Sequence, residues 1–500
     1  QRGRTALSRS APSLPIQLMQ QLGWLDGRFS VLDYGCGRGY DVSYLEHLGV
    51  DVAGWDPVHR PAGKASSADI VNLGFVVNVI EAADEREDVL SAAFTLATRA
   101  LVVSVMVAPP SRYERFLPFR DGVVTARGTF QKYYTQTEIK ELVEQATGAE
   151  VFGLGPGVVV AFRDGEMREA FLDQRYRRRP RASLGSVSGT PPSRRTKAAE
   201  FWREHRQTCA ELWSKACELG RWPEADEFAG TDVLLGFFSS RTRAFHAVSR
   251  FYDGSELEAA ALRRREDLLL EDAIARFNRV ERKISEFSIR KQRDVRSLFG
   301  SFRALSEASQ ANMRALAEPA ALTEDALAVD RAECGGCWDE TGVSFECRCV
   351  DRLPLLLRTY IELGAAYHGG FEGVDLVRVH LESGKLTLST YDDFYGRPLP
   401  LLLTRTKVDL RRQRIDDFEY GEGFAAPPLY WKSRFLAEDA PSYRDQVRFD
   451  RKLDDLGIAP DGDPRFGYSA AVVDEILTAK GLEVRGFRFF KIGRRGGAPS

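Results

Sequence analysis

The residues able to do chemistry gather near the start of the chain. Asp33 stands at the end of the apolar run Val31-Leu32, two positions before the first of three glycines at alternate positions, Gly35, Gly37 and Gly39. Such a turn lets backbone and ligand approach closely, and a helix opening just behind it offers unpaired N–H groups. A nucleotide-like ligand fits this arrangement. The order G-x-G-x-G is not the G-x-G-x-x-G of a dinucleotide fingerprint. Asp56 closes the next apolar run, Val50 to Trp55, at a spacing that suits a carboxylate gripping both hydroxyls of a ribose. Further on, Asn72-Leu73-Gly74-Phe75 sets an amide beside an aromatic ring. An amide oxygen there can accept from an exocyclic amine while the ring stacks on a base flipped out of a duplex. The same four residues read equally well as a helix cap followed by core aromatics.

Strands and helices must position these groups. Val31–Tyr34 predicts a buried strand, residues 41–48 a helix, and 50–55 a second strand. Only about a dozen residues separate Asp56 from the strand opening at Asp69-Ile70-Val71, too few for a further strand and crossover helix. One βα unit is therefore expected to shrink to a loop. Asp69 is grouped with the cofactor-binding residues, and Asn72 is expected at the C-terminal end of that strand, facing the ligand crevice. Residues 82–96 read as a helix and 100–107 as a buried strand. The polar, aromatic segment 121–134 follows, and its Thr129-to-Tyr134 stretch is expected to close over a substrate, with Tyr133 among the catalytic candidates. Thr135-x-x-Glu138 is a capping box opening an amphipathic helix, and residues 151–162 supply two closing strands. A lead-in helix at Ile16–Leu22 is expected to cross the pocket, and Arg4 and Arg9 ahead of it read as surface charges.

Hydrophobic residues make up 43% of the 500 and the formal net charge is −2, so the chain is expected to form several ordinary globular domains. Contact with nucleic acid would need local basic patches. No run approaches a membrane span in length, which predicts a cytoplasmic protein without membrane contact. The seven cysteines, an odd number, argue for free thiols.

Four regions follow from composition: a first domain over 1–163, a basic flexible linker over 164–197, a mainly helical domain over 198–330, and an α+β domain over 331–500. The linker rests on eight basic residues and no acid between Arg175 and Lys197. In the helical region Arg263, Arg264, Arg265, Arg276, Arg279 and Arg282 read as a solvated face. In the last region Cys334, Cys337, Cys347 and Cys349 are candidate zinc ligands, although the second pair is spaced by one residue where two is usual. Basic and aromatic residues interleave at Tyr391-Asp392-Asp393-Phe394 and Tyr430-Trp431-Lys432-Ser433-Arg434, as on an anionic-ligand surface. His205, His246 and His368 lack partners at ligand spacing.

The order Asp33-x-Gly35-x-Gly37-x-Gly39 resembles motif I of the class I methyltransferases that use S-adenosylmethionine (SAM). That ligand has no pyrophosphate, and an acid near its amino group fits. Taken whole, the chain resembles the DNA phosphorothioation-associated methyltransferase family. The resemblance rests on Arg4-Thr5-Ala6-Leu7-Ser8-Arg9, Asp33-Tyr34-Gly35-Cys36-Gly37-Arg38-Gly39, Gly54-Trp55-Asp56-Pro57-Val58-His59-Arg60-Pro61 and the stretch Val71 to Glu81. Gly128-Thr129-Phe130-Gln131-Lys132, Tyr391-Asp392-Asp393-Phe394 and Lys407-Val408-Asp409-Leu410-Arg411 extend it. It implies a doubly wound Rossmann-like methyltransferase domain, followed by a helical region and an α+β C-terminal domain, working in DNA modification or defence. Asp33 and the glycines would hold the methionine end, Asp56 the ribose, and Asn72 with Phe75 the target base. The cysteine cluster is not part of the family pattern. A SAM-dependent enzyme acting on a small molecule and a non-catalytic SAM-binding DNA-recognition subunit remain as other readings, and oligomeric state is left open.

Overall fold

The structure is a computed structural model describing residues 11–107, 113, 116–178, 197–421, 425–458 and 467–492. Arg4 and Arg9 lie outside the described residues. The chain divides into two compact units, Gln1–Met167 with Leu316–Ser500, and Arg168–Ala315.

The first unit is built on a sheet in the order β2-β1-β3-β4-β9-β8, with β1 Val31–Tyr34, β2 Val52–Trp55, β3 Ala68–Gly74, β4 Ala97–Ser104, β8 Val151–Gly155 and β9 Val158–Phe162. The first four strands run parallel, whereas β9 is antiparallel to β4 and pairs with β8 as a hairpin. Strands β8 and β9 and residues 100–103 of β4 are apolar and buried because helices cover both faces of such a sheet. These helices include α1 Leu14–Gln21, α2 Tyr40–His47, α3 Ala83–Leu96 and α4 Gln136–Thr147. Between β2 and β3 there is no helix, so the shortened unit expected from the spacing is a loop. Leu32, Val71, Leu101, Val103, Ile139 and Val159 form the core beneath the sheet. A small antiparallel flap, β5 Leu117–Phe119, β6 Gly122–Val124 and β7 Phe130–Gln131, inserts between β4 and α4.

The rest of this unit carries a six-stranded antiparallel meander, β10 Cys337–Asp339, β11 Gly342–Glu346, β12 Leu376–His380, β13 Lys385–Tyr391, β14 Leu402–Asp409 and β15 Arg414–Glu419. It joins the first sheet closely: Gln136 Nε2 donates to Gly369 O over 3.2 Å, and a Cβ on Gly153 would come within 1.7 Å of that oxygen. The α+β character expected from 331 is present.

The second unit is helical. Its first helix, Gly165–Tyr176, occupies the start of the stretch expected to be a flexible linker; residues 179–196 lie outside the described residues. The expected solvated arginine face is overturned in part, since Arg264 is buried and Arg282 joins it among carboxylates. Glu169 accepts from Lys291 over 2.7 Å and from Arg282 over 2.9 Å, while Arg264 and Arg221 both reach Asp294 over 2.8 Å. Charges this deep persist only when each has a partner.

Candidate functional site

Strand β1 ends at Tyr34 and the chain turns through Gly35, Gly37 and Gly39, all left-handed at φ 85°, 52° and 79°. No other residue type accepts this run of angles cheaply. Space is equally restrictive: a Cβ on Gly35 would meet Val76 Cγ2 at 2.3 Å, and one on Gly39 would meet Arg60 Nη2 at 2.5 Å. Gly39 then serves as the N-cap of α2. The turn borders a cavity of about 330 Å³ at the carboxyl ends of β1, β2 and β3, lined by Asp33, Asp56, Asn72 and Phe75 among others. A ligand crevice belongs at this edge of a doubly wound sheet.

Asp33 and Asn72 are paired across neighbouring strands, and Asn72 Nδ2 donates to Asp33 Oδ1 over 2.8 Å. Asn72 therefore sits inside β3, short of its expected terminal position; the strand runs on to Gly74. Phe75, half-buried, takes the corner after the strand instead, in a left-handed conformation at φ 59° that is uncommon without glycine. Its N–H donates to Ser104 O over 2.8 Å.

Asp56 uses its carboxylate on backbone. Gly37 N–H reaches Oδ2 over 3.1 Å, while Val58 and His59 N–H reach Oδ1 over 2.9 and 2.7 Å. It thus ties the glycine turn to the loop after β2 while lining the cavity. Burial and the nearby Asp33 charge push the Cys36 thiol up to about 12, so it stays protonated beside the ligand space.

Two of the expected site residues lie elsewhere. Asp69 is at the start of β3, the edge opposite the crevice, and accepts from Ser30 N over 2.9 Å and from Thr98 Oγ1 over 3.1 Å. A strand of this length carries its first residue away from the ligand. Tyr133 stacks on Tyr113 with ring centroids 4.9 Å apart and does not line the cavity. Its segment is instead pinned to the turn at 77–79, where Lys132 N–H donates to Asn78 O over 2.8 Å.

The zinc expectation is also corrected. Among the described residues no group of three or more His, Cys, Asp and Glu is placed to hold a metal ion. Cys334 and Cys349 adjoin each other, but Cys347 faces Glu362, Glu372 and Asp375. Burial chiefly raises the thiols of Cys334 and Cys349, to about 12.

Sequence reasoning missed Ser13, whose N–H donates to Asp41 Oδ1 over 3.0 Å and which, with Asp41, lines the cavity. The available signal was Ser13 before Leu14-Pro15, a helix start. The expected lead-in helix is present as α1.

Does this site fit SAM? The glycine cradle would not tolerate a side chain, and two buried oxygens, Asn72 Oδ1 and Ser13 Oγ, lack hydrogen-bond partners at its wall. Both features suit a polar ligand held against backbone. Fold and site together define a Rossmann-like ligand-binding domain. Residues 8–151 match the family described as a methyltransferase domain. The match is confined to the first part of the chain. Among solved structures the chain is similar to a 1,6-didemethyltoxoflavin-N1-methyltransferase of Burkholderia thailandensis, at 19% identity over 30% of this chain and 75% of that one, TM-score 0.23. The magnesium protoporphyrin IX methyltransferase of Synechocystis shows 17% identity over 33% and 90%, TM-score 0.22. A sugar N-methyltransferase of Streptoalloteichus shows 17% over 30% and 86%, TM-score 0.24. No curated protein matches the chain. Likeness at this level says nothing of the acceptor.

Proposed function

We propose that the cavity binds SAM and that the methyl acceptor, held over Phe75, belongs to DNA in a modification setting linked to phosphorothioation. The observation that carries the first part is the left-handed glycine turn standing over the buried Asp33–Asn72 pair at the carboxyl edge of the sheet. SAM supplies an electrophilic methyl group on a sulfonium. The chain's own share is placement: Asp56 fixes the turn, Asp33 faces the ligand's cationic end, and Phe75 walls the acceptor side. A neutral amine with an aimed lone pair needs no strong base, so orientation and exclusion of water do most of the work. The DNA part rests on the family resemblance that spans almost the whole chain.

A specific observation favours a second reading, a small-molecule acceptor. Asn72 is 1% exposed and its amide nitrogen is committed to Asp33, so it is poorly placed to read a flipped base. Calorimetric titration with S-adenosylhomocysteine, on wild type and Asp56→Ala, with and without a duplex oligonucleotide, separates these. Micromolar binding strengthened by duplex and lost in Asp56→Ala supports the DNA reading. Binding indifferent to duplex favours a small molecule, and absence of binding overturns the site.

A further inference from the structure

The first unit holds a second cavity, of about 200 Å³, whose lining shares no residue with the glycine-turn cavity. Strand register builds its floor. Leu388 of β13 pairs with Thr406 of β14, and Thr406 with Asp417 of β15; in the next row Thr390 pairs with Thr404, and Thr404 with Glu419. Residues two apart in a strand share a face, so the two rows lie side by side on one face of the meander. The loop before β12 closes the other end. Asp375 N–H donates to Ser389 O over 2.9 Å, which seats this loop against β13 on the side away from β15, and the loop contributes Glu372 and Val374 to the lining. Tyr134 and Gln136 complete the wall from the side of the first sheet, where Gln136 Nε2 donates to Gly369 O.

No lysine or arginine is among the described residues lining this cavity, so its surface is acidic and hydroxylic and repels an anion. The acids do not converge. Asp417 and Glu419 stand on β15 and Glu372 beside β13, two strand spacings or about 10 Å apart across the sheet. Among the described residues no group of three or more His, Cys, Asp and Glu is placed to hold a metal ion, so one compact cation does not serve all three carboxylates. Between the acidic ends lie the hydroxyls of Thr390, Thr404 and Thr406 and the apolar Leu388. Thr406 Oγ1 donates to Asp417 Oδ1 over 2.5 Å and so orients that carboxylate. Negative charge at both ends, with acceptors and methyl groups between, is complementary to a chain that is cationic at both ends and has methylenes and N–H donors between.

We propose that this cavity binds a linear aliphatic polyamine, with one terminal ammonium at Glu372 and the other at Asp417 and Glu419. The threonine hydroxyls accept from an inner amine, while Leu388 and Val374 meet the methylenes.

The test is calorimetric titration of the full chain with spermidine and with the shorter 1,4-diaminobutane, in about 0.15 M salt, where attraction between exposed charges is largely screened. Spermidine should bind one to one, and the shorter diamine about tenfold more weakly because it does not reach both ends. Glu372→Gln and Asp417→Asn should each weaken spermidine about tenfold, whereas Glu307→Gln, at an exposed acid of the second unit, should leave it unchanged. Absence of spermidine binding by wild type, equal affinity for the two amines, or unchanged affinity in either cavity variant overturns the proposal. An equal loss in Glu307→Gln means diffuse attraction and overturns it too, as does displacement of spermidine by equimolar magnesium chloride, which would assign the acids to a divalent cation. Glu372→Gln, on its loop, decides alone should Asp417→Asn not fold, and an unchanged circular dichroism spectrum certifies its fold.

Discussion

Asp56 shows how one carboxylate serves both architecture and binding. Its two oxygens accept three backbone N–H groups, which fixes the glycine turn against the loop after β2. Asp56→Asn converts one oxygen into a donor facing those N–H groups, and S-adenosylhomocysteine affinity should fall about tenfold, measured by calorimetry. Phe75 offers the opposite case, a residue whose conformation opposes stability. Its left-handed backbone costs about 1–2 kcal/mol that glycine would not incur. Phe75→Gly should therefore keep or raise the melting temperature while weakening the wall on the acceptor side and lowering methyl transfer. A fall in both would mean that the ring is needed for folding. At this scale Asp33, Asp56 and the glycines were legible because their types and spacing carry the chemistry. Asp69 was misplaced because an acid at the head of a strand and one at its tail look alike in a sequence.

Among the elements, α4 was legible down to its cap. Thr135 Oγ1 accepts from Glu138 N–H over 3.2 Å and Glu138 Oε2 accepts from Thr135 N–H over 2.7 Å. Thr135→Ala should cost about 1 kcal/mol in urea unfolding, with no change in the folded spectrum. The flap was foreseen only as a polar loop. Arg86 anchors it from α3 by a two-pronged pair to Asp121, both contacts 2.6 Å, with Lys132 adding a third at 2.9 Å. The Arg86 hydrogen bond chiefly holds the Asp121 carboxyl well below the usual range, although burial opposes it. Such a pair joins residues far apart in sequence, and nothing local announces it.

On the scale of the whole molecule, the division falls at 167 and 315, not at the composition breaks. Among the described residues no helix is long and apolar enough to cross a membrane. The second unit carries a buried ionic cluster beside its apolar core, and its pH response follows. Burial alone would raise the Glu169 carboxyl, but the Arg282 hydrogen bond and the Lys291 and Arg282 charges outweigh it and bring it down to about 2. A carboxyl lowered on folding stabilises above its unfolded value near 4.5 and loses that contribution as pH falls toward 2. Stability should drop by about 3 kcal/mol over that window. Urea unfolding followed by the fluorescence of Trp202, Trp213 and Trp222 tests this, and Glu169→Gln should flatten the dependence.

The sequence by itself determined the doubly wound sheet, its missing crossover helix, the glycine turn and the acid that ends β2. Each depends on periodicity, chain length between strands, or a backbone angle that only glycine accepts, and all of these are local. Tertiary structure decided the rest. It set Asn72 against Asp33 through the β1–β3 register, brought Ser13 and Asp41 to the same cavity from different helices, and turned Tyr133 onto Tyr113. It turned Cys347 toward Glu362, Glu372 and Asp375 while Cys334 and Cys349 adjoin each other, and it buried arginines that a helical pattern assigned to solvent. Those outcomes depend on which distant side chains share a low-dielectric interior, where every charge and polar atom must find a partner.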